Sequence, residues 1–352
     1  MWKELEPQRL TTRPVLATPL NGKIIRAVGS ELFTCPPGES FHLFLVRYLF
    51  TLLGDDWYEA EIAKPVPDRH IAVRWYWEVM EKVSLARDQG RPNYGEVVLT
   101  GHLKSLIVLA DDLVQLAHAL TTPKKVLDRL RNFREFQGAR YEVAAASLIA
   151  RCGFKIDFID DSSRPQPEFI ARSEKLSETI AVEAKSRHRG GVIHEPGEPD
   201  QVGKVSSKGE RRSLNRLFRD ALSKAPDDVP FVIFIDVNRL ATPIAPYFEK
   251  ESMHNITELL RRWTTKRSEQ LMKLSGLVIT NFAWHYHQEM TAPFTEYGMF
   301  PNDECNFPLG ADSWKMIETA LSQYGKVPDE EAHQRSVKER FPEFSNVTTT
   351  RQ

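Results

Sequence analysis

Residues 154–185 read FKIDFIDDSSRPQPEFIARSEKLSETIAVEAK, and this stretch decides the fold. Apolar residues alternate with polar ones or run together over 154–160, 167–171 and 179–185, which is typical of short strands. Turn-forming residues fill 161–165, between the first two segments. We therefore predict three consecutive strands, with the last two paired as neighbours in a hairpin.

Helical patterns precede these strands. Apolar residues recur at spacings of three and four from residue 38 to about residue 120. Thr122 is a candidate N-cap and Pro123 occupies a first-turn position, so a further helix is predicted over 123–151. Gly153 supplies the stop signal at the end of that helix.

Helices and strands alternate after the hairpin. A long loop over 189–207 leads to a predicted helix at about 209–224 and then to the apolar run at 231–237. A helix at about 255–273 and a second apolar run at 276–282 follow. Continuous apolar runs of this length are expected for strands covered on both faces. The order of elements predicts an α/β fold.

The length of 352 residues favours two domains over one. We predict a mainly helical N-terminal region over 1–122, whose role the sequence does not indicate. An α/β domain is predicted over 123–325, and a polar C-terminal tail over 326–352.

Composition excludes several classes of protein. Three widely spaced cysteines provide neither a disulfide framework nor a CxxC metal site, and the N-terminus lacks the apolar core of a signal peptide, so a cytoplasmic, soluble protein without a membrane partner is expected. The net charge of −1 argues against a general nucleic-acid coat protein. Between Lys185 and Arg219, however, nine Lys or Arg face four acidic residues. A solvated helix face and a nucleic-acid contact explain this basic segment equally well.

Charged residues in the third strand point to chemistry. Residues two apart on a strand share a face, so Glu183 and Lys185 project together, away from the apolar side chains between and before them. Glu168 begins the neighbouring strand and brings a second carboxylate to the same place. Two carboxylates at close range repel each other unless a cation lies between them, and oxygen ligands of this kind suit Mg²⁺ or Mn²⁺.

These residues carry a family resemblance. Pro167-Glu168, a short hairpin and Glu183-Ala184-Lys185, preceded by a helix with Glu142, resemble the PD-(D/E)XK nuclease superfamily, which has the restriction-endonuclease-like fold. The resemblance covers roughly residues 124–282. It implies an αβββαβ core with a mixed central sheet and metal-dependent hydrolysis of phosphodiester bonds, most commonly in DNA.

The resemblance also implies roles for individual residues. Glu168, Glu183 and the backbone carbonyl of Ala184 are expected to hold the metal ion, and Lys185 to orient or deprotonate the attacking water. Glu142 is expected as a fourth catalytic residue. Five arginines of the basic segment are expected to hold the nucleic-acid backbone: Arg187, Arg189, Arg211, Arg212 and Arg216.

Alternatives remain open at two positions. The family usually has Asp where this chain has Glu168, and Asp160 and Asp161 are nearby substitutes that fit the hairpin order less well. Glu135 is the alternative to Glu142, and Arg140 is a neighbouring candidate for a phosphate contact.

The expected function is a nuclease, an endonuclease on DNA in defence or DNA processing. The rival expectation is a non-catalytic module that binds nucleic acid or protein on the same fold. The N-terminal helical region is a candidate surface for a homodimer or a protein partner.

Overall fold

The structure is a computed structural model. It describes residues 14–20, 23–88, 100–119, 124–159, 165–189, 192–193, 207–239, 249–286 and 296–327, together with residue 335. Within these residues the chain is an α/β protein that contains a mixed six-stranded sheet and a smaller antiparallel sheet.

The N-terminal region begins with a three-stranded antiparallel sheet, β1 (Leu16–Leu20), β2 (Lys23–Val28) and β3 (Glu31–Cys35). This sheet was not predicted from the sequence. Four helices then confirm the helical pattern: α1 (Phe41–Leu53), α2 (Asp55–Ile62), α3 (Ile71–Asp88) and α4 (Gly101–His118). The side chains of Ser40 and Thr100 cap α1 and α4 by accepting hydrogen bonds from Leu43 and Leu103.

The helix predicted over 123–151 is two helices, α5 (Lys124–Arg131) and α6 (Phe136–Arg151). Asn132 lies at the break, where its side-chain oxygen accepts a hydrogen bond from the backbone N–H of Arg134. Such local side-chain bonds compete with helix continuation. Gly153 has a φ of +89°, which confirms it as the helix stop. Thr122 and Pro123 lie outside the described residues.

The predicted strands and helices after Gly153 are confirmed. They are β4 (Lys155–Phe158), β5 (Phe169–Ser173), β6 (Glu178–Ser186), α7 (Ser207–Leu222), β7 (Phe231–Asp236), α8 (Glu251–Lys266) with the short α9 (Ser268–Leu271), and β8 (Gly276–Asn281). Two further elements were not predicted: β9 (Glu296–Pro301) and α10 (Ala311–Gln323).

The large sheet has the order β4-β5-β6-β7-β8-β9. β4, β5 and β6 form an antiparallel meander, β7 and β8 continue parallel to β6, and β9 returns antiparallel to β8. From α6 to β7 the elements follow the order helix, three strands, helix, strand. The sheet is therefore mixed, as expected.

The sheet separates two hydrophobic clusters. Val232, Phe234 and Val278 face the cluster that contains α6 and α10, whereas Phe231, Ile233 and Ile235 face the cluster that contains α7 and α8. Alternate residues of β7 thus pack against different helices. The two cores divide by sheet face, because α1, α3 and α4 join the α6 cluster rather than forming a core of their own.

A buried polar seam joins the N-terminal helices to the sheet region across residue 122, the predicted domain boundary. Arg140 on α6 is fully buried and donates to both the hydroxyl and the carbonyl of Ser105 on α4. Asp112, also on α4, forms an ion pair with Arg151 and accepts a hydrogen bond from the hydroxyl of Tyr324. Arg140 therefore serves this seam and is not the phosphate contact considered from the sequence.

The edge strand β4 is short and charged on its exposed side. Lys155 forms an ion pair with Glu174 and Asp157 with Arg172, and all four side chains are exposed. Elsewhere, none of the helices described here combines the length and the apolar character needed to cross a membrane.

Candidate active site

The register of the sheet places the two predicted carboxylates opposite each other. Phe169 pairs with Val182, and Glu168, one residue earlier, donates its backbone N–H to the carbonyl of Val182. Continuing this antiparallel register puts Glu168 across from Glu183, at a separation where side chains of neighbouring strands interact. Lys185 follows two residues later on the same face.

Lys185 bridges the two carboxylates. Its Nζ lies 2.5 Å from Oε1 of Glu183 and 3.5 Å from Oε1 of Glu168. The Glu183 side chain is fully buried, whereas Glu168 and Lys185 keep 18% and 24% of their side-chain surface exposed. Solvent therefore reaches the cluster from the side of Glu168 and Lys185. The structure brings together the three residues on which the sequence prediction depended.

A second lysine completes the cluster, and it was not singled out from the sequence. Lys224 lies in the turn after α7, and its Nζ is 2.8 Å from Oε1 of Glu183 and 3.3 Å from Oε1 of Glu168. No motif spacing links Lys224 to the strand residues, because the crossover helix separates them in sequence. Only the packing of α7 against the sheet brings this lysine to the carboxylates.

Burial and charge set the pKa values of the cluster. Burial, with a further contribution from the charge of Glu168, raises the pKa of Glu183 to about 7. Burial acts in the same direction on Glu168, but Lys185, Lys224 and Arg129 outweigh it and hold its pKa below the usual range. Burial acts to lower the pKa of Lys185, and the two carboxylates, Glu183 first, outweigh it and raise that pKa. Of the two carboxylates, Glu183 is therefore the one whose ionised form is less favourable in the folded protein.

Glu142 lies on α6 with a partner of its own. Arg129 on α5 holds its carboxylate with two hydrogen bonds, from Nη1 at 2.5 Å and from Nη2 at 2.8 Å. Burial, followed by the negative charge of Glu168, raises the pKa of Glu142 to about 7 despite this pairing. Glu142 therefore lies close enough to the cluster for the charge of Glu168 to shift its pKa. Glu135, the alternative, lies at the N-terminus of α6 with half of its side-chain surface exposed.

Two features of the site fit a metal ion. Among the described residues, neither carboxylate oxygen of the buried Glu183 has an aligned hydrogen-bond partner, and its Oε1 lies within ion-pair distance of the two lysines. On β6, the backbone N–H groups of Ala181 and Arg187 donate hydrogen bonds toward β7. Backbone groups of successive strand residues point to alternate sides, so the carbonyl of Ala184 points toward the β5 side. Ala184 lies beyond Val182, the last residue of β6 that pairs with β5. The Ala184 carbonyl therefore lies on the side of β6 where Glu168 is, and carboxylate and carbonyl oxygens are the ligands that Mg²⁺ and Mn²⁺ prefer.

Side chains alone do not make a metal centre here. Among the described residues, no group of three or more His, Cys, Asp or Glu is arranged to hold a metal ion. A metal at this position would depend on the two carboxylates, the Ala184 carbonyl and water. Asp160 and Asp161, considered in place of Glu168, lie outside the described residues.

The five arginines expected to bind nucleic acid separate into two groups. Arg187 and Arg189 are buried: Arg187 forms an ion pair with Glu210, and Arg189 donates a hydrogen bond to the carbonyl of Asn238. These contacts fix the loops after β6 and β7, so the expectation of exposed phosphate contacts is corrected for both residues. Arg211, Arg212 and Arg216 are exposed on α7.

A further buried carboxylate, Asp236, lies at the carboxyl end of β7 and was not singled out from the sequence. Its Oδ1 accepts hydrogen bonds from the Thr280 hydroxyl and the Phe282 N–H, while its buried Oδ2 has no hydrogen-bond partner among the described residues. Burial, against these hydrogen bonds, raises the pKa of Asp236 to about 7.

Comparison with known proteins adds no relative. No protein-family model matches this chain, and neither a curated protein nor a solved structure is significantly similar to it.

Proposed function

We propose that this chain is a metal-dependent nuclease whose active site contains Glu168, Glu183 and Lys185. The observation that carries the proposal is the fully buried Glu183, which lies opposite Glu168 and beside Lys185 and whose two oxygens have no aligned hydrogen-bond partner in the part of the chain that the structure describes. Burial of an ionised carboxylate costs several kcal/mol unless it is compensated, and folding stability alone does not require this arrangement. A role as a metal ligand in a catalytic site would account for it.

Glu168, Glu183 and the carbonyl of Ala184 would hold Mg²⁺ or Mn²⁺. When bound, such an ion supplies Lewis-acid polarisation of a scissile phosphate and stabilises the negative charge that develops there. Lys185 extends from the same strand as Glu183 and reaches the exposed side of the cluster. Its ammonium would orient the attacking water and stabilise developing negative charge.

Glu142 has a supporting part in this proposal. Its carboxylate is held by Arg129, so it acts on the site through charge, or through a water molecule, rather than as a direct ligand. The exposed arginines Arg211, Arg212 and Arg216 would contact the phosphate backbone of the substrate. DNA is the proposed substrate because of the resemblance to the PD-(D/E)XK nucleases.

Cleavage assays on single-stranded, double-stranded and branched DNA test the proposal. We expect cleavage with Mg²⁺ or Mn²⁺, loss of cleavage with EDTA, no cleavage by Glu168→Ala and partial cleavage by Glu168→Asp. Lys185→Met should lower the turnover rate roughly 100-fold or more while affinity for DNA changes far less. Cleavage by metal-free protein, or a folded Lys185→Met variant with parental turnover, would contradict the proposed chemistry.

One observation favours a second function, a binding module without catalysis. Lys185 and Lys224 already provide two positive charges for the two carboxylates, so the cluster is compensated without a metal ion. Such a module would bind DNA with the same affinity in EDTA and in Mg²⁺, and Glu168→Ala would leave that affinity unchanged.

A further inference from the structure

When Glu168 and Glu183 are both ionised, the charges of the active-site cluster sum to zero without a metal ion. Glu168 and Glu183 provide two negative charges, and Lys185 and Lys224 provide two positive ones within 3.5 Å. Glu142 and Arg129 neutralise each other beside them. A divalent cation that entered this cluster without any rearrangement would add two uncompensated positive charges in a largely buried place, which electrostatics strongly disfavours.

One of the two lysines must therefore give way, and the structure distinguishes them. Lys185 belongs to β6, the strand that pairs with both β5 and β7, and it has the shorter contact with Glu183, 2.5 Å against 2.8 Å for Lys224. Lys224 lies in a turn beyond α7 and not on a central strand. This position is the difference between the two lysines, because their side chains are almost equally exposed, 25% for Lys224 and 24% for Lys185. Four rotatable bonds let a lysine ammonium move outward without any movement of its backbone.

We propose that Lys224 is a displaceable counter-cation of the active site. In the metal-free protein its ammonium neutralises Glu168 and Glu183, and it moves toward solvent when a divalent cation binds to these carboxylates. The displaced ammonium then faces the entering substrate, where it contacts a phosphate group. This role rests on the proposed function, because it requires Glu168 and Glu183 to be metal ligands.

Lys224 is a positioning residue, and removing it should change metal affinity in the opposite direction to removing a metal ligand. Removing its charge takes away the competitor for the carboxylates, so metal affinity should rise. Removing either carboxylate lowers metal affinity. A lysine that only stabilised the fold would change neither metal affinity nor its own exposure on metal binding.

Calorimetric titration with Mn²⁺, without nucleic acid, measures the first consequence. Lys224→Met should bind Mn²⁺ at least about tenfold more tightly than the parent, since one unit charge within a few ångströms acts by more than the 1.4 kcal/mol that a factor of ten represents. Lys224→Arg, which keeps the charge, should remain within about threefold of the parent. Lys273→Met removes a lysine paired with Asp227 away from the cluster and serves as the matched control.

Acetylation of the parent protein, followed by peptide mass spectrometry, measures the displacement itself. The fraction of Lys224 modified should increase when Mn²⁺ is present, while Lys273 stays unchanged. Parental or weaker Mn²⁺ affinity in Lys224→Met, or modification of Lys224 that does not rise with Mn²⁺, overturns the proposal. If Lys224→Met does not fold, Lys224→Gln replaces it, since the amide still donates to a carboxylate.

The same experiments separate this proposal from the proposed function. If the parent binds Mn²⁺ and the affinity of Lys224→Met is not higher, the nuclease proposal survives and the role of Lys224 is wrong. If the parent and the variants all fail to bind Mn²⁺, the carboxylates are not metal ligands and both proposals fail. Binding by Lys224→Met alone would show that Lys224 blocks the carboxylates and is not displaced by the metal ion, which also overturns the proposal.

Discussion

Asp236 shows how one buried side chain links stability to pH. Both of its oxygens are removed from water, but only Oδ1 has hydrogen-bond donors among the described residues. The folded protein therefore favours the protonated form of this carboxyl. A raised pKa of this kind stabilises the folded state at low pH and loses that effect as the pH rises.

The Asp236→Asn variant should reveal this loss. The unfolded chain releases the Asp236 proton near pH 3.8 and the folded protein only near pH 7, so the parent loses stability between these values and the variant does not. The free energy of unfolding of the variant, relative to the parent, should be higher at pH 8 than at pH 5 by an amount on the order of 1 kcal/mol or more. Urea unfolding at both pH values measures it, and a difference that does not change with pH would contradict the raised pKa.

At the level of residues, local spacing allowed part of the site to be predicted. Glu183 and Lys185 are two apart on one strand, so their shared face follows from strand geometry alone. Glu168 required only the hairpin register. Lys224 and Arg129 could not be predicted, because their positions depend on how α7 and α5 pack against other elements. Most lysines and arginines are exposed, so nothing in the sequence around one of them indicates that it will pack next to a distant carboxylate.

The elements of the fold were predictable where their apolar pattern is long or continuous. β7 and β8 are buried along their whole length, and each contains a continuous apolar stretch, 231–235 and 277–279. By contrast, β1 contains Pro19, and β9 contains Gly298 and Pro301, residues that are depleted in strands. The break between α5 and α6 depends on the local side-chain bond of Asn132, which periodicity does not detect.

The contact between β8 and α10 depends on a missing side chain at Gly276. A Cβ at this position would overlap the ring carbons Cζ2 and Cη2 of Trp314 and lie 3.0 Å from the carbonyl oxygen of Phe300. Gly276→Ala should therefore destabilise the protein by about 1 to 3 kcal/mol, the usual effect of overpacking.

Gly138 provides the matched control for this substitution. A Cβ there meets only Nη2 of Arg129 at 3.6 Å, an ordinary contact, and Gly138 lies in the first turns of α6. Gly138→Ala should leave stability unchanged or raise it by roughly 0.5 to 1 kcal/mol through helix propensity. Equal effects of the two substitutions in urea unfolding would show that Trp314 moves aside easily.

For the whole molecule, the polar seam between α4 and α6 predicts that residues 123–325 do not fold alone. Without α4, Arg140 and Arg151 lose Ser105 and Asp112 as partners, and the apolar face of α6 that shares a core with α4 becomes exposed to water. Loss of a hydrophobic core contact of this kind removes a large part of the stability of a domain. We expect the fragment to lack a cooperative thermal transition, and a folded fragment with near-parental melting temperature would establish two independent domains.

The exposed arginines of α7 predict a salt-dependent interaction surface. Replacing Arg211, Arg212 and Arg216 by Ala should weaken DNA binding and reduce the slope of log affinity against log salt by about 0.9 for each phosphate that is no longer neutralised. Lys315→Ala on α10 is the control, because that exposed lysine lies on the opposite side of the sheet. Binding that is equally weakened by the control would place the DNA elsewhere.

The charged side chains of the edge strand β4 affect how separate molecules of this protein interact with each other. An edge strand offers unpaired N–H and C=O groups to any other strand in solution, and a flat apolar edge promotes aggregation. The exposed ion pairs of Lys155 and Asp157 contribute little to the stability of one molecule. Their consequence is colloidal: a second copy that adds a strand at this edge must place its own side chains beside the charged Lys155 and Asp157, which opposes pairing between molecules there as the protein concentration rises.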